Sequence, residues 1–118
     1  MAFILDLTPT YRKKVIVEVP NNKGGIDKSE FTVEFKRVPF TGDDKQDEGV
    51  LSVEDLRNMT QLEVLRNVVV GWDGLLDKAR TDVPFNAATL AALLSIPHAV
   101  FAMAEAFWTS IYKAKEKN

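Results

Sequence analysis

Residues 14–19 read Lys-Val-Ile-Val-Glu-Val and residues 31–36 read Phe-Thr-Val-Glu-Phe-Lys, and these two stretches decide the fold of the N-terminal part. In both stretches apolar side chains alternate with polar ones. A period of two in β-branched and aromatic residues is typical of strands that bury one face. The segment between them, Pro20 to Gly25, is rich in residues that turn the chain. The pattern therefore predicts a β-hairpin over residues 14–38.

The second half of the chain has helical periodicity. Ser52 is an N-cap candidate, and the apolar spacing that follows predicts a helix over residues 52–71, ended by Gly71. Asn86 is the next N-cap candidate and opens a short helix. Pro97 suits the first position of a final helix that runs to about Lys115. A lone hairpin is marginal in water, so we expect its apolar face to pack on these helices.

A chain of 118 residues fits a single domain. We predict an α+β fold in which the hairpin packs on a bundle of three to four helices. The β-rich part covers residues 1–40 and the helical part residues 50–118, with an exposed acidic loop at residues 41–49 between them. Residues 3–7 are the candidate for a third strand or a packing arm.

Composition excludes several classes of protein. The formal net charge of −2 gives no basic excess for a phosphate backbone, so we expect no nucleic-acid partner. The chain has no cysteine, which excludes a disulfide framework and indicates a reducing compartment. The first seven residues carry Asp6 and do not have the pattern of a signal peptide.

Residues 83–112 contain a single charged side chain, Glu105, which raises the question of a membrane span. The stretch is rich in alanine, is interrupted at residues 95–98 and lacks flanking basic residues. Two packed helices explain this pattern better than one span does, so we expect no membrane partner.

No residue pattern indicates catalysis. The sequence has none of the nucleophile, phosphate-loop, dinucleotide or zinc-protease motifs. His98 is the only histidine, and without a serine–acid or cysteine partner it is expected to cap or pack. The acidic residues of the loop at 41–49 lack the alternating spacing of a calcium loop. We predict no catalytic, cofactor or metal site.

Protein binding is the remaining class, and the last helix offers the main candidate surface. Phe101 and Trp108 lie on its apolar half and are expected in the core. The other half consists of small residues where a surface helix of a monomer normally carries several charges. We expect this strip to contact a partner and to mediate weak self-association. The candidate residues are Ala99, Ala102, Ala106 and Thr109.

Two aromatic residues outside that helix are further candidates for protein binding. Trp72 follows Gly71 at a predicted turn, where contact with the next helix and contact with a partner are equally compatible with the pattern. Phe85 precedes the predicted N-cap Asn86.

Several segments, taken in order, resemble the tail assembly chaperones of long-tailed bacteriophages, and the resemblance spans nearly the whole chain. Leu7-Thr8-Pro9-Thr10-Tyr11 leads into a strand that closes on Pro20, and a second strand ends in Phe35-Lys36-Arg37. Val70-Gly71-Trp72-Asp73 and Pro84-Phe85-Asn86 follow, before a final aromatic helix. The acidic insert at residues 41–49 departs from the family pattern.

The resemblance implies a protein of the infected host cytoplasm that is absent from the mature virion. Such chaperones hold the tape-measure protein while tail-tube subunits polymerise round it, without a cofactor or catalytic residues. A structural virion component, such as a tail-completion or connector subunit, is the alternative. A membrane-acting phage protein and an enzyme are the more distant alternatives.

Overall fold

The computed structural model describes residues 8–40 and 51–112, which form an α+β fold with three strands and four helices. The predicted fold class is thereby confirmed. Residues 3–7 and the acidic loop at 41–49 lie outside the described residues. The elements are β1 (Thr10–Pro20), β2 (Ile26–Lys36), α1 (Val53–Arg57), α2 (Gln61–Val68), β3 (Val69–Asp73), α3 (Ala87–Leu94) and α4 (Pro97–Tyr112).

The predicted hairpin is formed by β1 and β2, which pair antiparallel with Val15 opposite Phe31. Alternate residues of both strands are buried, as the period of two requires, and the residues between them face solvent. At the turn the Asn21 side-chain carbonyl accepts hydrogen bonds from the backbone N–H groups of Lys23 and Gly25, each 2.9 Å long. Gly24 takes a φ of +83°, which a residue with a Cβ rarely adopts.

The prediction of one helix over residues 52–71 is wrong, because the chain forms two short helices and a strand there. Ser52 caps α1 as predicted, but Thr60 caps α2 with a second capping box that it forms with Glu63. Gly71 does not end a helix. It lies within β3, the third strand of the sheet, which pairs with β2 and places Trp72 opposite Val33.

The sheet has the order β1-β2-β3, and its apolar face packs on the helices. Phe107 of α4 and Phe35 of β2 are fully buried, with their ring centroids 5.3 Å apart. Helices α1 and α2 add Leu56 and Leu65 to the same apolar cluster. Sheet and helices therefore share one core, which agrees with the predicted packing of the hairpin.

Helices α3 and α4 begin where the sequence predicts. The Asn86 side chain accepts a hydrogen bond from the backbone N–H of Thr89, and Pro97 is the first residue of α4. The two helices meet at an angle of 101°. Among the described residues no single helix is long and apolar enough to cross a membrane, although the two helices of this bent pair together reach that length and apolar character.

Candidate protein-binding surface

The structure brings together Trp72 and Phe85, the two aromatic residues that the sequence offers as candidates for protein binding. Their rings meet edge to face with centroids 4.8 Å apart. The Trp72 indole N–H donates a 2.7 Å hydrogen bond to the Val83 carbonyl, and its ring packs against the core. Trp72 thus ties the segment before α3 to the sheet, whereas Phe85 remains 38% exposed and available for contact.

The small-residue strip of α4 does not form the free surface that the sequence suggests. Ala99 is buried, and Ala102 and Ala106 pack against the core. Ala102, Ala106 and Thr109 line a narrow groove of about 290 Å³ whose other side is residues 13–16 of β1. The strip is therefore half-buried, since Ala102 and Ala106 pack against the core on one side and face β1 across this groove on the other.

The opposite flank of α4 carries exposed aromatic residues that the sequence places in the core. Phe101 is 62% exposed, so its predicted core role is wrong. Trp108 is only partly buried and packs on the rim of the core. His98, which was expected to cap or to pack, lies in the first turn and is exposed, so it does not pack in the core.

Phe101 lies beside a shallow groove of about 490 Å³ between the start of α2 and the junction of α3 and α4. Leu62 and Pro97 also line this groove, and Ile96, at the junction, is 43% exposed. No charged side chain lines the groove among the described residues, so an apolar partner would lose no ionic hydration there.

Local structure fixes the side chains around this groove. The capping box of Thr60 and Glu63 starts α2, which holds Leu62 in its first turn. The turn between α3 and α4 is closed by the Ser95 hydroxyl, which donates to the Ala92 carbonyl at 2.6 Å. Phe101 follows one turn into α4. Local hydrogen bonds therefore define both sides of the groove, at the start of α2 and at the end of α3.

A second groove of about 350 Å³ lies further along α4, towards α1. Trp108 and Tyr112 stack there with ring centroids 5.5 Å apart, and the Arg57 guanidinium lies 5.7 Å from the Tyr112 ring centroid. Gln61 lines both grooves, which makes them neighbours. We call this flank the aromatic surface and define it by its five large side chains, which are Leu62, Ile96, Phe101, Trp108 and Tyr112.

Tyr11 connects β1 to the last turns of α4, away from the aromatic surface. Its hydroxyl shares a 2.7 Å hydrogen bond with the Ser110 hydroxyl. Burial raises the pKa of Tyr11 above its ordinary value, against the opposing effects of the Ser110 hydrogen bond and the positive charge of Arg37. Tyr11 is therefore neutral near pH 7 and can keep this contact.

In residues 8–40 and 51–112, no cluster of three or more histidine, aspartate or glutamate side chains is placed to hold a metal ion. Comparison of the chain with protein-family models, curated proteins and solved structures finds no match.

Proposed function

We propose that this protein is a tail assembly chaperone that binds an apolar helical segment of a phage tape-measure protein through its aromatic surface. The single observation that carries the binding mode is Phe101, a large apolar side chain 62% exposed beside an uncharged groove. The phage setting rests on the resemblance in sequence. The tail-tube protein is the second proposed partner, and the host cytoplasm the proposed place of action.

The shape of the surface favours a helical client. Phe101, Trp108 and Tyr112 follow one another at spacings of seven and four residues, so they lie along one flank of α4. Two neighbouring grooves lie beside this flank, an arrangement that suits the helix-in-groove mode of recognition. Aromatic residues are also the usual anchors of protein interfaces.

The strength of such binding is suited to a reversible holding function. Complete burial of one large apolar side chain stabilises a complex by roughly 1.5–3 kcal/mol. Phe101 and Ile96 together would offset part of the cost of association, and a single site of this kind is expected to bind weakly. Many weak sites along one long client would still hold it firmly through avidity.

Weak self-association is part of the same proposal, but we assign it to the aromatic surface and not to the small-residue strip that the sequence predicts. The alanines of the strip are buried or half-buried, whereas Phe101 and Tyr112 of the aromatic surface are more than half exposed. Copies of the chain would then compete with the client for the same apolar side chains. Sedimentation over a hundredfold range of concentration should show reversible association in the wild type and a weaker one in Phe101→Glu.

Co-expression with the tape-measure protein of the same phage tests the proposal. The wild-type chain should keep that protein in the soluble fraction, and Phe101→Glu should lose this effect because a charge then faces the apolar groove. Ile26→Glu is the matched control, since Ile26 is 64% exposed but lies at the end of the hairpin. Equal solubilisation by both variants would contradict the assigned surface.

Purified virions separate the chaperone from the alternative. A chaperone that leaves the tail after assembly should be absent from mass spectra of purified particles but present in lysates taken during infection. A stoichiometric amount in the particles would instead identify a tail-completion or connector subunit.

A further inference from the structure

A second surface, distinct from the aromatic one, lies where the base of the hairpin meets the last turns of α4. It is a cleft of about 410 Å³. Lys13 of β1, Lys36 at the end of β2 and Arg37 beyond it supply three positive charges. Val38 and Ile111 supply apolar lining. The cleft thus combines a cationic rim with an apolar wall.

The charges of the hairpin are distributed unevenly. On the outer face of the sheet Lys14 pairs with Glu30 at 3.0 Å, and Lys28 lies 3.9 Å from Glu18. Within residues 8–40 and 51–112, none of the three cations of the cleft forms a salt bridge with a carboxylate. Positive charge is therefore concentrated at the cleft, although the whole chain has a net charge of −2.

Arg37 is held in place by contacts that include no carboxylate among the described residues. Its backbone N–H donates to the Pro9 carbonyl at 2.8 Å, and its Nε donates to the Thr8 carbonyl at 2.7 Å. The guanidinium carbon lies 5.1 Å from the centroid of the Tyr11 ring. A guanidinium has five N–H donors, so most of them remain for a carboxylate.

From this juxtaposition we infer that the cleft binds an acidic segment of a partner protein, one in which a glutamate or aspartate is followed by an apolar residue. Carboxylates of the segment would meet Arg37, Lys36 and Lys13. The apolar neighbour would lie against Val38 and Ile111. Charge complementarity of this kind guides partners together and fixes their register. The site does not depend on the proposed chaperone function.

A nucleic acid fits the cleft less well than an acidic peptide. Binding to a phosphate backbone gains strength from many neutralised phosphates, whereas this cleft offers three cations. Glu34 precedes Lys36 by two residues and accepts a 2.6 Å hydrogen bond from the Thr10 hydroxyl. Its negative charge would repel a phosphate backbone that continued over the sheet. A short acidic peptide avoids this repulsion, and its apolar residue uses the wall.

Fluorescence anisotropy with a labelled peptide of alternating glutamate and leucine tests the inference on the full chain. Lys13→Gln/Lys36→Gln should weaken binding by about tenfold, the effect of losing two surface ion pairs. Lys14→Gln/Lys28→Gln makes the same change of charge on the outer face and should leave the affinity within about twofold. Phe101→Glu should also leave it unchanged, which separates this site from the chaperone surface.

Three results would overturn the inference. The first is equal binding of a glutamine–leucine peptide, and the second is equal weakening by the two double lysine variants at unchanged melting temperature. The third is displacement of the peptide by a single-stranded oligonucleotide of equal length and equal or higher affinity, which would assign the cleft to nucleic acid.

The chain's own acidic residues are the remaining competitor for the cleft. A variant in which Asp43, Asp44, Asp47 and Glu48 are changed to the corresponding amides should bind the peptide with an affinity within about twofold of the wild type. If this variant bound the peptide and the wild type did not, the chain's own acidic residues would be the occupant of the cleft. The inference would then be wrong.

Discussion

The two flanks of α4 differ in side-chain size and in exposure, and the relation between the two properties is the opposite of the usual one. One flank carries Ala99, which is buried, and Ala102 and Ala106, which are half-buried beside β1. The other carries Phe101 and Tyr112, which are 62% and 52% exposed. Small residues here mark a close approach of helix and sheet, and large residues mark open surface. Residue volume alone therefore does not indicate which flank of a helix is buried.

Helix length explains the exposed flank. At 1.5 Å per residue, the 16 residues of α4 extend about 24 Å and the eight residues of α2 only about 12 Å. A neighbour of half the length cannot cover the whole flank. Trp108, which lies between Phe101 and Tyr112 along the flank, is partly buried, whereas Phe101 and Tyr112 are exposed.

The largest expected effect comes from comparing two phenylalanines of α4. Phe107→Ala should lower the free energy of unfolding by about 3–5 kcal/mol, since Phe107 is fully buried against Phe35. Phe101→Ala should change it by no more than about 0.5 kcal/mol, because most of that side chain is already in water. Urea denaturation measures both. Equal losses would mean that Phe101 is covered in solution.

A charged substitution can test whether the alanine flank of α4 is packed. Ala106→Glu should cost about 1–3 kcal/mol in the free energy of unfolding, because Ala106 packs against the core and a longer, charged side chain disturbs that packing. Ala91→Glu is the control, since Ala91 is exposed in the middle of α3, and it should stay within about 0.5 kcal/mol of the wild type. Comparable melting curves for the two variants would show that the strip is not packed.

The smallest effect concerns the link between β1 and the end of α4. Tyr11→Phe removes the hydrogen bond to Ser110 and should cost about 1 kcal/mol at pH 7. Because burial raises the pKa of Tyr11 in the folded state, its stabilisation is complete below about pH 10. It is lost as the pH rises through the folded-state pKa.

Urea titrations of wild type and Tyr11→Phe between pH 8 and 11 would check the pH dependence. The difference between the two chains should shrink above about pH 10. A difference in the free energy of unfolding that stays constant from pH 8 to 11 would exclude burial as the cause of a raised Tyr11 pKa.

The hairpin and three helix starts could be predicted from the sequence because their signals are local. Alternation in β1 and β2 needs only the strand period, and Ser52, Asn86 and Pro97 are standard start residues. The break at Thr60 also has a local signal, the Thr-x-x-Glu pattern at residues 60–63, which the apolar spacing through this region obscured.

Strand β3 and the exposed flank of α4 could not be predicted in the same way. Residues 68–70 are three valines whose preference for a strand competes with the helical spacing, and pairing with β2 decides between them. The helical periodicity places Phe101 on the apolar half of α4, but the length of the neighbouring helix decides how much of it is covered. Both outcomes depend on residues distant in sequence.

The far end of the hairpin has a consequence for amide hydrogen exchange. Residues 22–30 are exposed, and no helix covers them in the described part of the chain. Their backbone amides should exchange through local opening of the strand ends, at a rate that core mutations leave unchanged. The amides of Val33 and Phe35 lie under the helices and should exchange only on global unfolding. One exchange experiment would thus report the fraying of the tip and the stability of the core separately, from two halves of the same strand.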